Sequence, residues 1–102
     1  MRRGEVWWHE PPHEKHRPAL ILTRDELIGD IFDVIAVPTT TTVRGTPTEI
    51  PIGVADGMPA ECVLVVANSF LAEQIYLTRH ITTLNSARMT EVCRMLAYAT
   101  NC

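Results

Sequence analysis

Arg17-Pro18-Ala19-Leu20-Ile21-Leu22-Thr23 places one permanently charged guanidinium at the mouth of an apolar run with the length and composition of a strand. Pro18 fixes its own φ and disfavours helical backbone at Arg17, so the arginine belongs at a loop-to-strand junction. Taken alone, Arg17 is one of nine basic residues, and an ordinary surface ion pair is its simplest fate. Its neighbours in the chain change that.

Immediately before it lies a polar loop, His9-Glu10-Pro11-Pro12-His13-Glu14-Lys15-His16. The loop matches the zinc-binding His-Glu-x-x-His pattern by letter, but that pattern needs a helix to bring the two histidines onto one face. Two consecutive prolines between them remove the donors and add the clashes that forbid one. A loop-type metal site built from His9, His13 and His16 would lack a fourth ligand, so neither metal nor other cofactor is expected. What remains is a set of side chains that titrate near neutrality beside Arg17. Earlier still, Glu5-Val6-Trp7-Trp8 follows Arg2-Arg3-Gly4 as a short strand. Its period-two alternation would turn one tryptophan inward and leave the other partly exposed, as a stacking platform or a packing surface.

Beyond Thr23, Asp25-Glu26-Leu27-Ile28-Gly29 reads as a helical turn closed by glycine. Phe32 to Val37 is apolar enough to be a central strand. It runs into Pro38-Thr39-Thr40-Thr41-Thr42, where four hydroxyls precede Val43-Arg44-Gly45. Thr48 to Ile52 alternates, with Pro51 confining it to an edge or a strand end. Asp56-Gly57-Met58-Pro59 is turn chemistry, and Cys62 to Val66 is a buried strand that Asn68-Ser69 interrupts. Phe70 to Leu77 and Arg79 to Thr82 give short extended or single-turn pieces. Asn85 then caps an amphipathic helix with Met89, Val92, Cys93, Leu96 and Ala97 on its apolar stripe, and with Arg88, Glu91 and Arg94 facing away.

The 102 residues suffice for a single domain with one core. With 46% hydrophobic and 21% charged residues the composition is globular, and no apolar run reaches the length of a membrane span or a secretory leader, which predicts a cytoplasmic protein. The three cysteines, Cys62, Cys93 and Cys102, lack paired spacing and read as reduced thiols, with Cys62 and Cys93 as small core residues. The net charge of −3 is spread along the chain, so any nucleic acid would meet a local patch and not a domain-wide basic field.

Arg3-Gly4-Glu5-Val6-Trp7-Trp8, the polar loop, Arg17-Pro18-Ala19-Leu20-Ile21-Leu22, the strand ending Val37-Pro38-Thr39 and the closing helix together resemble the MazF/PemK toxins of bacterial type II toxin–antitoxin modules. The resemblance runs the full length. It implies an α+β, mostly β fold: a small SH3-like barrel with a short helical turn and a C-terminal amphipathic helix. It further implies a homodimer, an antitoxin bound through that partner's C-terminal segment, and metal-independent cleavage of single-stranded RNA. Carried across by position, the family's active-site arginine falls on Arg17, its strand-end threonine on Thr39, and its loop glutamate near Glu14. Many relatives carry an acidic residue after the strand that matches Cys62 to Val66; here Ala67-Asn68 stands there, which leaves the general base unassigned.

The chemistry suits these residues. RNA supplies its own nucleophile, the 2′-hydroxyl, so the protein has only to move protons and stabilise a crowded phosphate. Arg17 offers a two-pronged donor for the phosphate, Thr39 a neutral one, and His16 or His13 proton transfer. Lys15, Thr40, Thr41, Arg44 and Asn68, with Glu14, are the expected RNA contacts. The alternatives are a gyrase poison on the same barrel, for which the tail Thr100-Asn101-Cys102 lacks a bulky anchor, or a barrel whose chemistry has decayed at Ala67.

Overall fold

A computed structural model describes residues 1–102. Seven antiparallel strands form one sheet: β1 (Glu5–His9), β2 (Arg17–Ile21), β3 (Asp33–Thr40), β4 (Glu49–Ile52), β5 (Cys62–Val65), β6 (Phe70–Glu73) and β7 (Leu77–Thr83). A short helix α1 (Asp25–Ile28) follows β2, and the long α2 (Ser86–Thr100) closes the chain. This is the expected α+β, mostly β fold with a C-terminal helix. The barrel, however, does not close. The strand order is β4-β5-β3-β2-β1-β7, so β4 and β7 end the path without pairing to each other, and Pro51 lies on the β4 edge. No helix is long and apolar enough to cross a membrane.

The run Ala19 to Leu22 is continuously apolar because both sides of the sheet are covered. Val6, Leu20, Leu22, Val37 and Leu64 pack in one cluster with Val92 of α2, while Ala19, Ile21, Val34, Ala36 and Ala72 pack in a second with Ile28 of α1. Trp7 and Trp8 leave the sheet on opposite faces, yet neither is fully buried. Trp7 packs against the second cluster and donates its indole N–H to Glu5 Oε1 at 3.0 Å, and Trp8 lies under the Arg79 guanidinium, 5.7 Å from the ring centre.

β3 is the central strand, and its two edges are used differently. One edge meets β2 through Ala36, Val37 and Pro38; the other meets β6 through Asp33 to Ala36 and β5 through Thr39 and Thr40. Leu22 donates its N–H to Ile35 O at 2.8 Å, so the alternation of the antiparallel ladder turns the Pro38 nitrogen away from β2, toward the gap between the β6 and β5 pairings. There a proline costs no hydrogen bond. The chain crosses this gap as a single 3-10 turn, Val66–Asn68, which sets Asn68 beside Pro38.

Asn85 caps α2 as expected, accepting the Arg88 N–H at 2.8 Å. The buried stripe differs from the predicted one. It is centred on Val92 with Met89, Met95 and Leu96 half-buried, whereas Cys93 and Ala97 face solvent. Rows at i±3 and i±4 from Val92 explain this, since a residue one step further round the helix leaves the contact face. Cys93 instead accepts from the Arg3 guanidinium at 3.1 Å. Arg88, expected to face away, reaches back to Asp56 with Nε to Oδ1 at 2.9 Å, and this guanidinium holds the Asp56 carboxyl below its ordinary pKa even though burial opposes it. The clamp ties α2 to the turn before β5.

Candidate active site

Arg17 opens β2 and is half-buried, with Nη1 donating to the Thr39 carbonyl at 3.3 Å. Thr39 in turn donates its hydroxyl proton to the Pro18 carbonyl at 2.7 Å. The Arg17-Pro18 pair and Thr39 are thus joined by two bonds running in opposite directions between neighbouring strands, one from the Arg17 guanidinium and one to the Pro18 carbonyl. Thr39 is only 2% exposed and its single proton is spent, so it does not offer the neutral phosphate donor expected of it. Its place is beneath Arg17, holding the strand mouth.

Three concavities, of about 180, 340 and 250 Å³, open around Arg17, which lines all of them. The first takes Trp8, Lys15, His16, Thr40, Thr41, Met58, Pro59 and Glu61 into its walls. Arg44, Thr40, Glu49 and Asn68 line the second. The third has His9, Glu14, Lys15, Pro38, Asn68 and Phe70. Of the predicted site residues, only His13 lines none of the three. It sits exposed at the tip of the loop with a left-handed φ of 64°. Strict alternation along an extended chain favours His13 over His16. Adjacency to Arg17 favours His16 instead, and of the two only His16 lines a concavity shared with Arg17. His16 is anchored by Pro11 O at 3.3 Å and lies 3.8 Å from Glu10 Oε2. His9, His13 and His16 do not come together in a group of His, Cys, Asp or Glu side chains able to hold a metal.

The family model for PemK-like, MazF-like toxins of type II toxin–antitoxin systems matches residues 2–100. The chain belongs to this family. Over 103 residues it is 37% identical to the probable endoribonuclease MazF2 of Mycobacterium tuberculosis, with each chain covered in full. Its structure is similar to that of the M. tuberculosis toxin MazF-mt6, with a TM-score of 0.85, 28% identity, and 95% of this chain and 96% of the other covered. It is equally similar, at a TM-score of 0.85 and 25% identity over 99% of this chain and 95% of the other, to a mycobacterial endoribonuclease in complex with its cognate antitoxin.

Within this toxin fold one titratable side chain joins the site that local pattern alone places in the loop. That side chain is His9: β1 extends one residue further than expected and pairs His9 directly with Arg17. The register was available in principle. If Val6 and Leu20 are opposed in the core, then three residues outward along the same antiparallel pair His9 must face Arg17. Burial pushes the His9 pKa below its ordinary value, with Glu14 opposing and His16 reinforcing the shift. Cys62, expected in the core, is half-buried at the edge of the first concavity, where burial and the nearby Glu61 and Asp56 carboxylates push its thiol pKa up and keep it protonated.

Proposed function

We propose that this chain, as one toxin domain, is a metal-independent endoribonuclease that cuts single-stranded RNA by attack of the 2′-hydroxyl and so inhibits translation and growth. The observation that carries this reading is the position of Arg17: a half-buried guanidinium, held at its base by Thr39 and Pro18, facing three adjoining concavities. One of its nitrogens is engaged at 3.3 Å, which leaves the outer N–H groups to grip a phosphate that gains charge as the 2′-oxygen adds. The nucleotides on either side would lie in the flanking concavities. Trp8, Met58 and Pro59 give the first an apolar wall on which a base can stack. Lys15 and Arg44 supply further charge for the backbone, and Glu14, Thr40, Thr41 and Asn68 supply polar contacts. His16 is the better placed of the two predicted histidines for proton transfer. The names of the relatives support the same activity. Purified protein incubated with a defined RNA in EDTA should release a 2′,3′-cyclic phosphate and a free 5′-hydroxyl; 3′-hydroxyl ends, or no cutting until divalent metal is added, would refute the reading.

The functional unit is proposed to be a homodimer. Phe32 is 92% exposed, and Ile35 and Leu71, directly paired across β3 and β6, are 47% and 67% exposed beside Ile75 at 77%. Such a cluster invites a second copy. The antitoxin's C-terminal segment is proposed to compete with RNA along the Arg17 groove, as an acidic tail can imitate a phosphate chain. Light scattering should give twice the chain mass at micromolar concentration, and truncating that antitoxin segment should abolish protection of the RNA; a monomer, or full protection without the segment, would count against each idea in turn.

A further inference from the structure

We infer that His9 is the general base of the reaction, taking the proton from the attacking 2′-hydroxyl on the β1 side of Arg17. The inference rests on the ribonuclease reading above and assigns within it the one role left open. Residues directly opposed in an antiparallel pair carry their side chains on the same face about 5 Å apart at Cβ, so a phosphate gripped by Arg17 lies within reach of the imidazole. Both side chains line the same 250 Å³ concavity. The His9 ring is fixed from one side by Phe70, with ring centres 5.2 Å apart. Unlike His16 and His80, whose ring nitrogens meet Pro11 O and Thr83 Oγ1, it has no protein hydrogen-bond partner. It is thus an oriented imidazole with a free nitrogen. The charged groups around it come from the loop and the mouth of β2, namely Glu14, Lys15, His16 and Arg17. The residues that face it from β3, β6 and β7 are uncharged: Pro38, Phe70 and Leu77. Burial keeps the ring neutral at neutral pH, the form that accepts a proton.

In the step itself, the 2′-oxygen passes its proton to the free nitrogen of His9 as it bonds to phosphorus. The bond from phosphorus to the 5′-oxygen breaks, and that oxygen takes a proton from His16 or from water. His9 then returns its proton to solvent. No redox change or co-reactant is involved.

The test uses His9→Gln and His9→Asn, which keep a polar group where the Nε2 and Nδ1 atoms lie, on RNA in EDTA. Both should lower kcat by roughly a hundredfold or more while binding of RNA carrying 2′-deoxyribose at the cut site is unchanged. The wild-type rate should rise with pH through a midpoint below the ordinary histidine value of 6.5, and the variants should lose that limb. An RNA with sulfur in place of the bridging 5′-oxygen, whose leaving group needs no proton, should not restore the variants. Retention of rate and pH limb in the variants, restoration by the sulfur substrate, or lost binding of the deoxy RNA would each overturn the assignment while the wild type still cuts. A wild type that fails to cut in EDTA would remove the ribonuclease reading and this assignment with it.

Discussion

Arg17→Ala is expected to reduce RNA cleavage by roughly a hundredfold to a thousandfold, because a donor aimed at charge developing in a partly dry site typically contributes ~3 kcal/mol to the transition state. The fold should survive, since the side chain is only half-buried and its one hydrogen bond within the protein is the 3.3 Å bond to a carbonyl. Arg17→Lys should recover little, as an ammonium cannot donate in two prongs from a fixed plane. Thr39 behaves differently from a phosphate donor. Thr39→Ser keeps the 2.7 Å bond to Pro18 O and should be nearly silent. Thr39→Val removes this side-chain bond while the Pro18 carbonyl keeps its ladder partner from β3, which should cost about 1 kcal/mol of stability and let Arg17 drift, slowing cleavage by up to about a hundredfold. Because Thr39 is proposed to act through Arg17, Thr39→Val in an Arg17→Ala background should add almost nothing to the rate loss. Single-turnover rates on one defined RNA, with urea melts in parallel, check all of these; an Arg17→Ala protein that cuts at the wild-type rate sinks the mechanism.

A substrate carrying 2′-deoxyribose at the cleavage position is expected to bind as well as RNA and not to be cut at all. The reason is stoichiometric: the nucleophile belongs to the substrate, and no protein group stands in for it. Arg17, Lys15 and Arg44 are proposed to meet phosphates, which the substitution leaves in place, so affinity and its salt dependence should be preserved. Gel-shift titration against the all-ribose RNA, with product analysis on the same samples, separates the two effects. Cleavage of the substituted position would show that an outside nucleophile, such as an activated water, does the work.

The course of the chain was legible from local chemistry wherever one residue type dominates its own backbone. Pro18 put Arg17 at a strand mouth, Asn85 started α2, Pro51 marked an edge, and the unbroken apolarity of Ala19 to Leu22 announced a strand. The Arg-Gly-Glu-Val-Trp opening and the Arg-Pro pair carried the family, and with it the arginine of the site. Pairing geometry was not legible in the same way, because it depends on residues far apart in the chain. That β3 changes partner at Pro38, bringing Asn68 to Arg17, depends on β5 and β6, and their ends carry no strong local signal. That Thr39 turns its hydroxyl under Pro18, and not outward, is set by the register of β2 against β3. His9 shows the difference most directly. As a letter it belonged to a misleading zinc-like motif, and only the opposition of Val6 to Leu20 in the core carries it along β1 to face the guanidinium. Local sequence determines which backbone a segment adopts, whereas burial of the whole sheet selects the register, and the register decides which side chains meet.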